Sequence, residues 1–259
     1  MSDKKYHFIS GLPRSGSTLL TSILNQNPDF HSSLTDSVAG TVKGMIQTFH
    51  ANPGFSSEVP QERRVNSIKG YIDGYYKDVD KKVIFNTNRI WTYSTHVVKD
   101  LYPDAKMILC VRDIKWILDS FELAYRRNPL YVSNIYGQGV DNVYQRCDSL
   151  MDMQGIVGLG YLGLKQAIMS NERNNLLIVE YDQLCKNPEG MMKALYNFIK
   201  EPYFEHDFNN VEKKWDEYDA EVGMELHSVK KKVEFIPREN SVIPPDILHK
   251  YSNLEVWRM

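Results

Sequence analysis

The chain has 259 residues, 42% of them apolar and 25% charged, with a formal net charge of −2. These are ordinary values for a globular protein, and the length allows one large domain or two small ones. They exclude a general attraction to nucleic acid or to a membrane surface, so any anion binding has to come from local basic groups. Cys110, Cys147 and Cys185 are odd in number, far apart and in no C-x-x-C pair, which argues against a disulfide framework or a zinc knuckle. The N-terminal MSDKKYHFISGLPRSG lacks the apolar run of a signal peptide, and no apolar stretch reaches the roughly 18 residues that span a bilayer. The expectation is a reduced, cytoplasmic protein.

Tyr6–Ser10 opens the chain as a short apolar run with the character of a buried strand. It runs into GLPRSGST, Gly11 to Thr18. Ser17–Gln26 then places Leu20, Ile23 and Leu24 on one helical face. Pro60–Val79 reads as a helical insertion. Val83–Asn86 is a second strand, closed by Asn86-Thr87-Asn88-Arg89. Lys106–Val111 is a third, closed by Arg112-Asp113, and the helix Lys115–Arg127 follows with Ile117, Phe121 and Ala124 on one face. Asp141–Asn171 reads as a second helical insertion. Leu176–Tyr181 is the fourth strand, ending in Tyr181-Asp182. A helix over Glu189–Lys200 follows, with Met192, Leu195, Tyr196 and Ile199 on one face. The tail from Leu226 is basic and then Pro-containing, with a short helix near Pro245–Tyr251. Strands alternating with helices predict one α/β domain over residues 1–259, with a parallel, P-loop nucleotide-hydrolase-like sheet flanked by helices and helical insertions. Ligands of such sheets sit at the carboxyl ends of the strands, where all four polar endings converge.

GLPRSGST is almost a phosphate-binding loop. Gly11 and Gly16 have the Walker separation, but Ser17 stands where the lysine belongs. A strand, two glycines and Ser-Thr opening a helix still aim free N–H groups at one point, with the positive end of the helix dipole behind them. Arg14 adds a forked cation. The other reading is a Gly-Pro turn with a surface arginine. Without the lysine, and with Asp113 only a poor magnesium ligand, triphosphate hydrolysis is disfavoured. A second constellation is Arg112 at a strand end and Ser120 eight residues later, about two helical turns on. Together they make a sensible second phosphate clamp, unless Arg112 merely pairs with Asp113 or Asp119.

Taken together, these motifs resemble the sulfotransferases that use 3′-phosphoadenosine 5′-phosphosulfate (PAPS). GLPRSGSTLLTSILNQNPDF is similar to the 5′-phosphosulfate loop of that family, most of all to the form in protein-tyrosine sulfotransferases and their bacterial relatives. Arg112 and Ser120 match its 3′-phosphate element. LLIVEYDQLCKNPEGMMKALYNFI looks like its strand-Tyr-acidic segment, which puts Tyr181 at the adenosine. LHSVKKKVEF, residues 226 to 235, is similar to its late loop over the cofactor. The resemblance spans most of the chain and is weak in the middle third. It implies sulfuryl transfer from PAPS to an acceptor hydroxyl by in-line displacement, leaving 3′,5′-phosphoadenosine and needing no metal. Arg14, Ser15, Gly16, Ser17 and Thr18 would hold the 5′-phosphosulfate. Arg112 and Ser120 would hold the 3′-phosphate, and Ser228 and Lys231 would close over the nucleotide. The acceptor would be a sugar, a phenol or a tyrosine peptide; no nucleic-acid or membrane partner is expected, and a homodimer is left open.

The general base is less defined. The tyrosine-sulfating branch has a Glu about twenty residues after the loop; here Thr35 aligns, so Asp36 is the candidate, with His31 in reserve. A helix-capping role for Asp36 is the competing reading. In FNTNR, Thr87 replaces an expected Lys, and Arg89 is the remaining candidate for the cation over the transferring group. A nucleoside-triphosphate kinase or hydrolase, and a non-catalytic phosphonucleotide-binding module, remain as alternatives. Gly158-Leu159-Gly160-Tyr161-Leu162-Gly163 spells G-x-G-x-x-G, but no strand precedes it, so close helix packing is the better reading. No H-x-x-x-H pair supports a metal site. Tyr71, Tyr75, Tyr76, Tyr125, Tyr131 and Tyr136 read as core or surface residues, with an aromatic acceptor pocket as the other reading.

Overall fold

The computed structural model describes residues 4–51, 53–130, 133–137, 140–211, 227 and 229–258. Among these residues, five parallel strands form one sheet in the order β2-β3-β1-β4-β5. They are β1 (Lys5–Gly11), β2 (Phe30–Ser32), β3 (Val83–Thr87), β4 (Met107–Val111) and β5 (Leu176–Glu180). The α/β parallel sheet expected from the sequence is present, and its four long strands start or stop within one residue of the predicted runs. β2 was not predicted. Its three residues FHS carry one apolar side chain, Phe30, and pair only with β3 at the sheet edge.

The strands are apolar on both faces because both faces are covered. Side chains alternate along each strand, so neighbours enter different cores. Phe8, Ile84 and Leu109 face one core, where they meet Val98, Ile117, Leu150 and Leu164. Ile9, Phe85, Ile108 and Val179 face the other, where they meet Leu20, Ile23, Leu24, Met192 and Leu195. The first core is covered by α2 (Val38–Ala51), α4 (Gln61–Tyr75), α5 (Thr95–Leu101), α6 (Ile114–Arg127), α7 (Val143–Met151) and α8 (Ile156–Ile168). The second is covered by α1 (Ser17–Leu24), α9 (Tyr181–Lys186) and α10 (Pro188–Ile199). A short α3 (Pro53–Glu58) follows α2, and α11 (Pro245–Lys250) lies in the tail where a short helix was expected.

The topology fixes the site. From the central β1 the chain first builds β2 and β3 on one side, then crosses to β4 and β5 on the other. The carboxyl ends of β1, β3 and β4 therefore flank a switch point, where open α/β sheets bind ligands. The glycine-rich stretch of α8 packs there as a helix. A Cβ on Gly160 would lie 3.5 Å from the Gly11 carbonyl, and one on Gly163 would lie 2.8 Å from the Tyr93 ring. Small residues let α8 lie against the β1 loop and the 3₁₀ turn Arg89–Tyr93.

Candidate active site

The loop after β1 is tied down before it offers anything to a ligand. Leu12 N–H donates to the Cys110 carbonyl at 2.9 Å, and Ser15 Oγ donates to the carbonyls of Leu12 (2.5 Å) and Cys110 (2.9 Å). Ser15 is thus buried as a brace between loop and β4, and its hydroxyl does not line the cavity above. Arg14 is held with φ +57°, a conformation uncommon for a residue with a side chain. Gly16 precedes α1 with φ +93° and no side-chain cap, so the first-turn N–H groups have no intrahelical acceptor. Ser17 and Thr18 open that turn.

Above the loop lies a cavity of about 480 Å³. Among the described residues, six cationic side chains line it, Arg14, Arg89, Arg112, Lys230, Lys232 and Arg238, against one carboxylate, Glu234. Arg14 Nε donates to Ser120 Oγ at 3.1 Å, and Arg112 Nη1 to the Arg14 carbonyl at 3.5 Å. The two sequence constellations therefore form one continuous site. Arg112 is 9% exposed, and its guanidinium lies 4.2 Å above the Tyr181 ring. Burial, followed by the nearby Arg238, pushes its pKa down from the ordinary guanidinium value. Its Nε has no hydrogen-bond partner among the described residues. A buried guanidinium with a spare donor and a cationic neighbour fits an anion. Asp113 does not supply one: it accepts from Lys115 N–H at 2.9 Å and caps α6. Nor does Asp119, which takes Arg238 (2.8 Å), Ser241 Oγ (2.9 Å) and Val242 N–H (2.8 Å).

Tyr181 opens α9 and packs its ring between Arg112 and the loop; a Cβ on Gly16 would lie 2.6 Å from that ring. Arg89 opens the 3₁₀ turn behind β3, capped by Asn88, whose side chain accepts from Ile90 N–H at 3.0 Å. It lines the loop cavity and two neighbouring ones. The smaller neighbour, about 70 Å³, is lined by Ser17, Thr35, Thr87 and His227, and Thr87 Oγ1 has no partner among the described residues.

The structure separates three expected residues from this centre. Asp36 Oδ1 accepts from Val38 N–H (3.0 Å) at the start of α2, while Oδ2 accepts from Tyr76 (2.7 Å) and Asn86 (2.6 Å). It lines a different cavity, shared with His31, whose ring meets Tyr76 edge-on at 5.8 Å. The carboxylate is thus committed to a cap and a polar network. Lys231 does not line the loop cavity, whereas Lys230 and Lys232 do. The chain bends at Lys231 and Lys232, with Lys231 C=O accepting from Val211 N–H and Val233 N–H donating to Phe208 C=O. Ser228 and Tyr131 lie outside the described residues. Tyr76 and Tyr136 are core residues, and Tyr125 stacks on Arg146 at 3.8 Å. Sequence reasoning missed Arg238 and His227. Arg238 is strapped to α6 by Asp119, a pairing across more than a hundred residues with no local signal.

Residues 7–205 match the sequence profile of the Sulfotransferase family. The chain belongs to the sulfotransferase family. No curated protein matches it in sequence. Among solved structures, a sulfotransferase from Alicyclobacillus acidocaldarius resembles it with TM-score 0.54 at 16% identity, covering 86% of this chain and 92% of that one. The sulfotransferase domain from the curacin biosynthetic pathway gives TM-score 0.51 at 14% identity, over 78% and 75%. The sulfotransferase domain of the Synechococcus PCC 7002 olefin synthase gives 0.50 at 15%, over 79% and 76%. At these identities the likeness establishes the fold. The family makes the protein a transferase whose reaction class is sulfuryl transfer, to a hydroxyl-bearing acceptor in general. No helix among the described residues is long and apolar enough to cross a membrane.

Proposed function

We propose that this sulfotransferase moves the sulfuryl group of PAPS to an acceptor hydroxyl. The observation that carries the donor assignment is Arg112: buried, short of one acceptor at Nε, and joined through Arg14 to Ser120 in the same cavity as the open end of α1. That cavity offers two anion positions with an aromatic ring between them, which suits a nucleoside carrying phosphate at both ends. The N–H groups at Ser17 and Thr18 would hold the 5′ end. Arg112, Ser120 and Arg238 would hold the 3′-phosphate, and Tyr181 would contact the adenosine. Lys230 and Lys232 take the closing role expected of Lys231.

In the transfer, the acceptor oxygen forms a bond to sulfur. The bond from sulfur to the bridging oxygen of the 5′-phosphate breaks, and that oxygen keeps the electron pair as part of 3′,5′-phosphoadenosine. Charge builds on that oxygen, where preorganised N–H donors and Arg14 are worth most. Arg89, at the junction of the cavities, supplies the cation that Thr87 cannot. The acceptor's proton goes to His227: of the two weak bases lining the loop cavity, Glu234 lies 3.9 Å from Lys232, and only His227 also reaches the small cavity beside Ser17 and Arg89.

Calorimetry with 3′,5′-phosphoadenosine and with ATP–Mg tests the donor. The bisphosphate should bind at least tenfold tighter, and tighter ATP–Mg binding overturns the assignment. Arg112→Ala should weaken 3′,5′-phosphoadenosine by about a hundredfold, in keeping with truncation of a desolvated charge partner, and leave adenosine 5′-phosphate nearly unchanged. Equal losses would remove the clamp from Arg112. Transfer of labelled sulfate from PAPS to an acceptor panel tests the reaction itself.

A further inference from the structure

Next to the loop cavity is a second one, of about 860 Å³, and Arg89, Ile135 and Ile156 line both. It is built from three pieces: the 3₁₀ turn Arg89–Tyr93, the 3₁₀ turn Asn134–Tyr136, and the junction between α7 and α8. Its volume falls in the range of small-molecule sites, about 300–1,000 Å³. Because it meets the loop cavity at Arg89, a molecule in it can present one hydroxyl where the proposed donor and base converge.

We infer that this cavity is the acceptor subsite and that its acceptor is a neutral saccharide; the inference rests on the donor reading above. The lining chemistry selects that class. Asp152 Oδ1 accepts from Gln154 N–H at 2.8 Å, leaving Oδ2 without a partner among the described residues. The side-chain amides of Asn134 and Gln154 likewise have no hydrogen-bond partner among the described residues, and both line the cavity. Planar carboxylate and amide groups with spare acceptors and donors match the vicinal hydroxyls of a sugar ring, each of which both donates and accepts. Tyr93 and the 37%-exposed Leu159 give the C–H face of such a ring an apolar surface. A phenol would use the apolar surface and leave the exposed carboxylate and amides to water, gaining nothing from them. The charges oppose an acidic peptide or an acidic glycan. Asp148 and Asp152 line the cavity, Asp148 is already paired with Lys250 at 2.7 Å, and Arg89 is the one cation among the described residues of the lining.

Two measurements test this separately from the donor. Saturation-transfer NMR on the donor-free protein with maltose, lactose and cellobiose should show binding to at least one disaccharide. Gln154→Ala and Tyr93→Leu should each reduce that binding at least fivefold, while the affinity for 3′,5′-phosphoadenosine stays within twofold. In the transfer assay, the same disaccharides should exceed 4-nitrophenol, a tyrosine pentapeptide and a chondroitin disaccharide by at least tenfold in kcat/KM. Binding of none of the three, unchanged binding in both variants, or preference for the phenol, peptide or acidic sugar overturns the acceptor assignment while leaving the donor reading intact. Failure of the donor reading would show instead as absent nucleotide binding, with the NMR result standing on its own.

Discussion

Arg14 Nε donates to Ser120 Oγ across 3.1 Å, joining the loop after β1 to the middle of α6 over 106 residues of sequence. Two anion clamps that look separate in the sequence thus share a hydrogen bond. Groups in one network are energetically coupled, by about 0.5–3 kcal/mol in double-mutant cycles. Arg14→Ala and Ser120→Ala should therefore be non-additive in their effect on 3′,5′-phosphoadenosine affinity, with the double variant losing less than the sum. Calorimetry on the four proteins of the cycle reads the coupling directly. Additivity would mean that loop and helix act independently.

Gly16 is constrained twice: its φ of +93° disfavours a side chain, and an added Cβ would sit 2.6 Å from the Tyr181 ring. Gly16→Ala should cost about 1–3 kcal/mol of stability through backbone strain and should displace the ring from Arg112. Tyr181→Leu in the same chain should recover the steric part only. Chemical denaturation of the two variants separates the parts, and a Gly16→Ala protein as stable as the parent would show that the loop relaxes freely.

Four strands were readable because burial on both faces leaves near-continuous runs of Ile, Val, Leu and Phe. β2 was not, because an edge strand of three residues needs only Phe30 to be apolar. The convergence of Arg14, Gly16, Arg112, Ser120 and Tyr181 was readable because each sits at a strand end or a fixed helical offset from one, and a parallel sheet aligns its carboxyl ends. Asp36 was legible only in part. Its capping role at the start of α2 is a local signal, but its other partners, Tyr76 and Asn86, lie 40 and 50 residues away and have none. Lys231 shows how a single position matters: the chain bends at Lys231 and Lys232, and Lys230 and Lys232 line the cavity where Lys231 does not. Arg238 and His227 come from a tail whose position depends on contacts such as Asp119–Arg238.

The fold should weaken in mild acid through two histidines. Burial lowers the pKa of His7 to about 4, with Lys5 and Lys106 adding to the effect, and burial lowers that of His206 to about 4 as well. His7 Nδ1 accepts from Lys106 N–H at 3.1 Å, a bond the protonated ring cannot accept. An unfolded imidazole titrates near 6.5, so the unfolded chain takes up these protons first as pH falls. The stabilising contribution is therefore complete above about 6.5 and is lost as pH falls toward 4, amounting to about 3 kcal/mol for His7. Urea unfolding at pH 7.0 and 4.5 should show this decline. His7→Gln, which keeps an acceptor for Lys106 N–H, should have a smaller difference between the two pH values, and an unchanged difference would exclude His7 as a source.

Asp36 and His227 make opposite predictions, because one is bound into the fold and the other lines the cavity. Asp36→Asn keeps an oxygen for one donor but turns an N–H₂ toward Tyr76 and Asn86, both already donating to this position. The mismatch should cost about 1–3 kcal/mol of stability, while kcat of the folded protein changes only a few-fold. His227→Asn should do the reverse. Loss of a general base typically costs about 10²–10⁴ in rate, so kcat should fall by that order with the melting temperature nearly constant. The base must be neutral to accept a proton, so in the parent kcat should decline toward low pH, and in His227→Asn that acidic limb should flatten. Imidazole added to a His227→Gly protein should restore part of the rate. A large loss of kcat in Asp36→Asn at unchanged stability, together with an intact acidic limb in His227→Asn, would return the proton to Asp36 and require the cavity shared with His31 to open onto the transferring group.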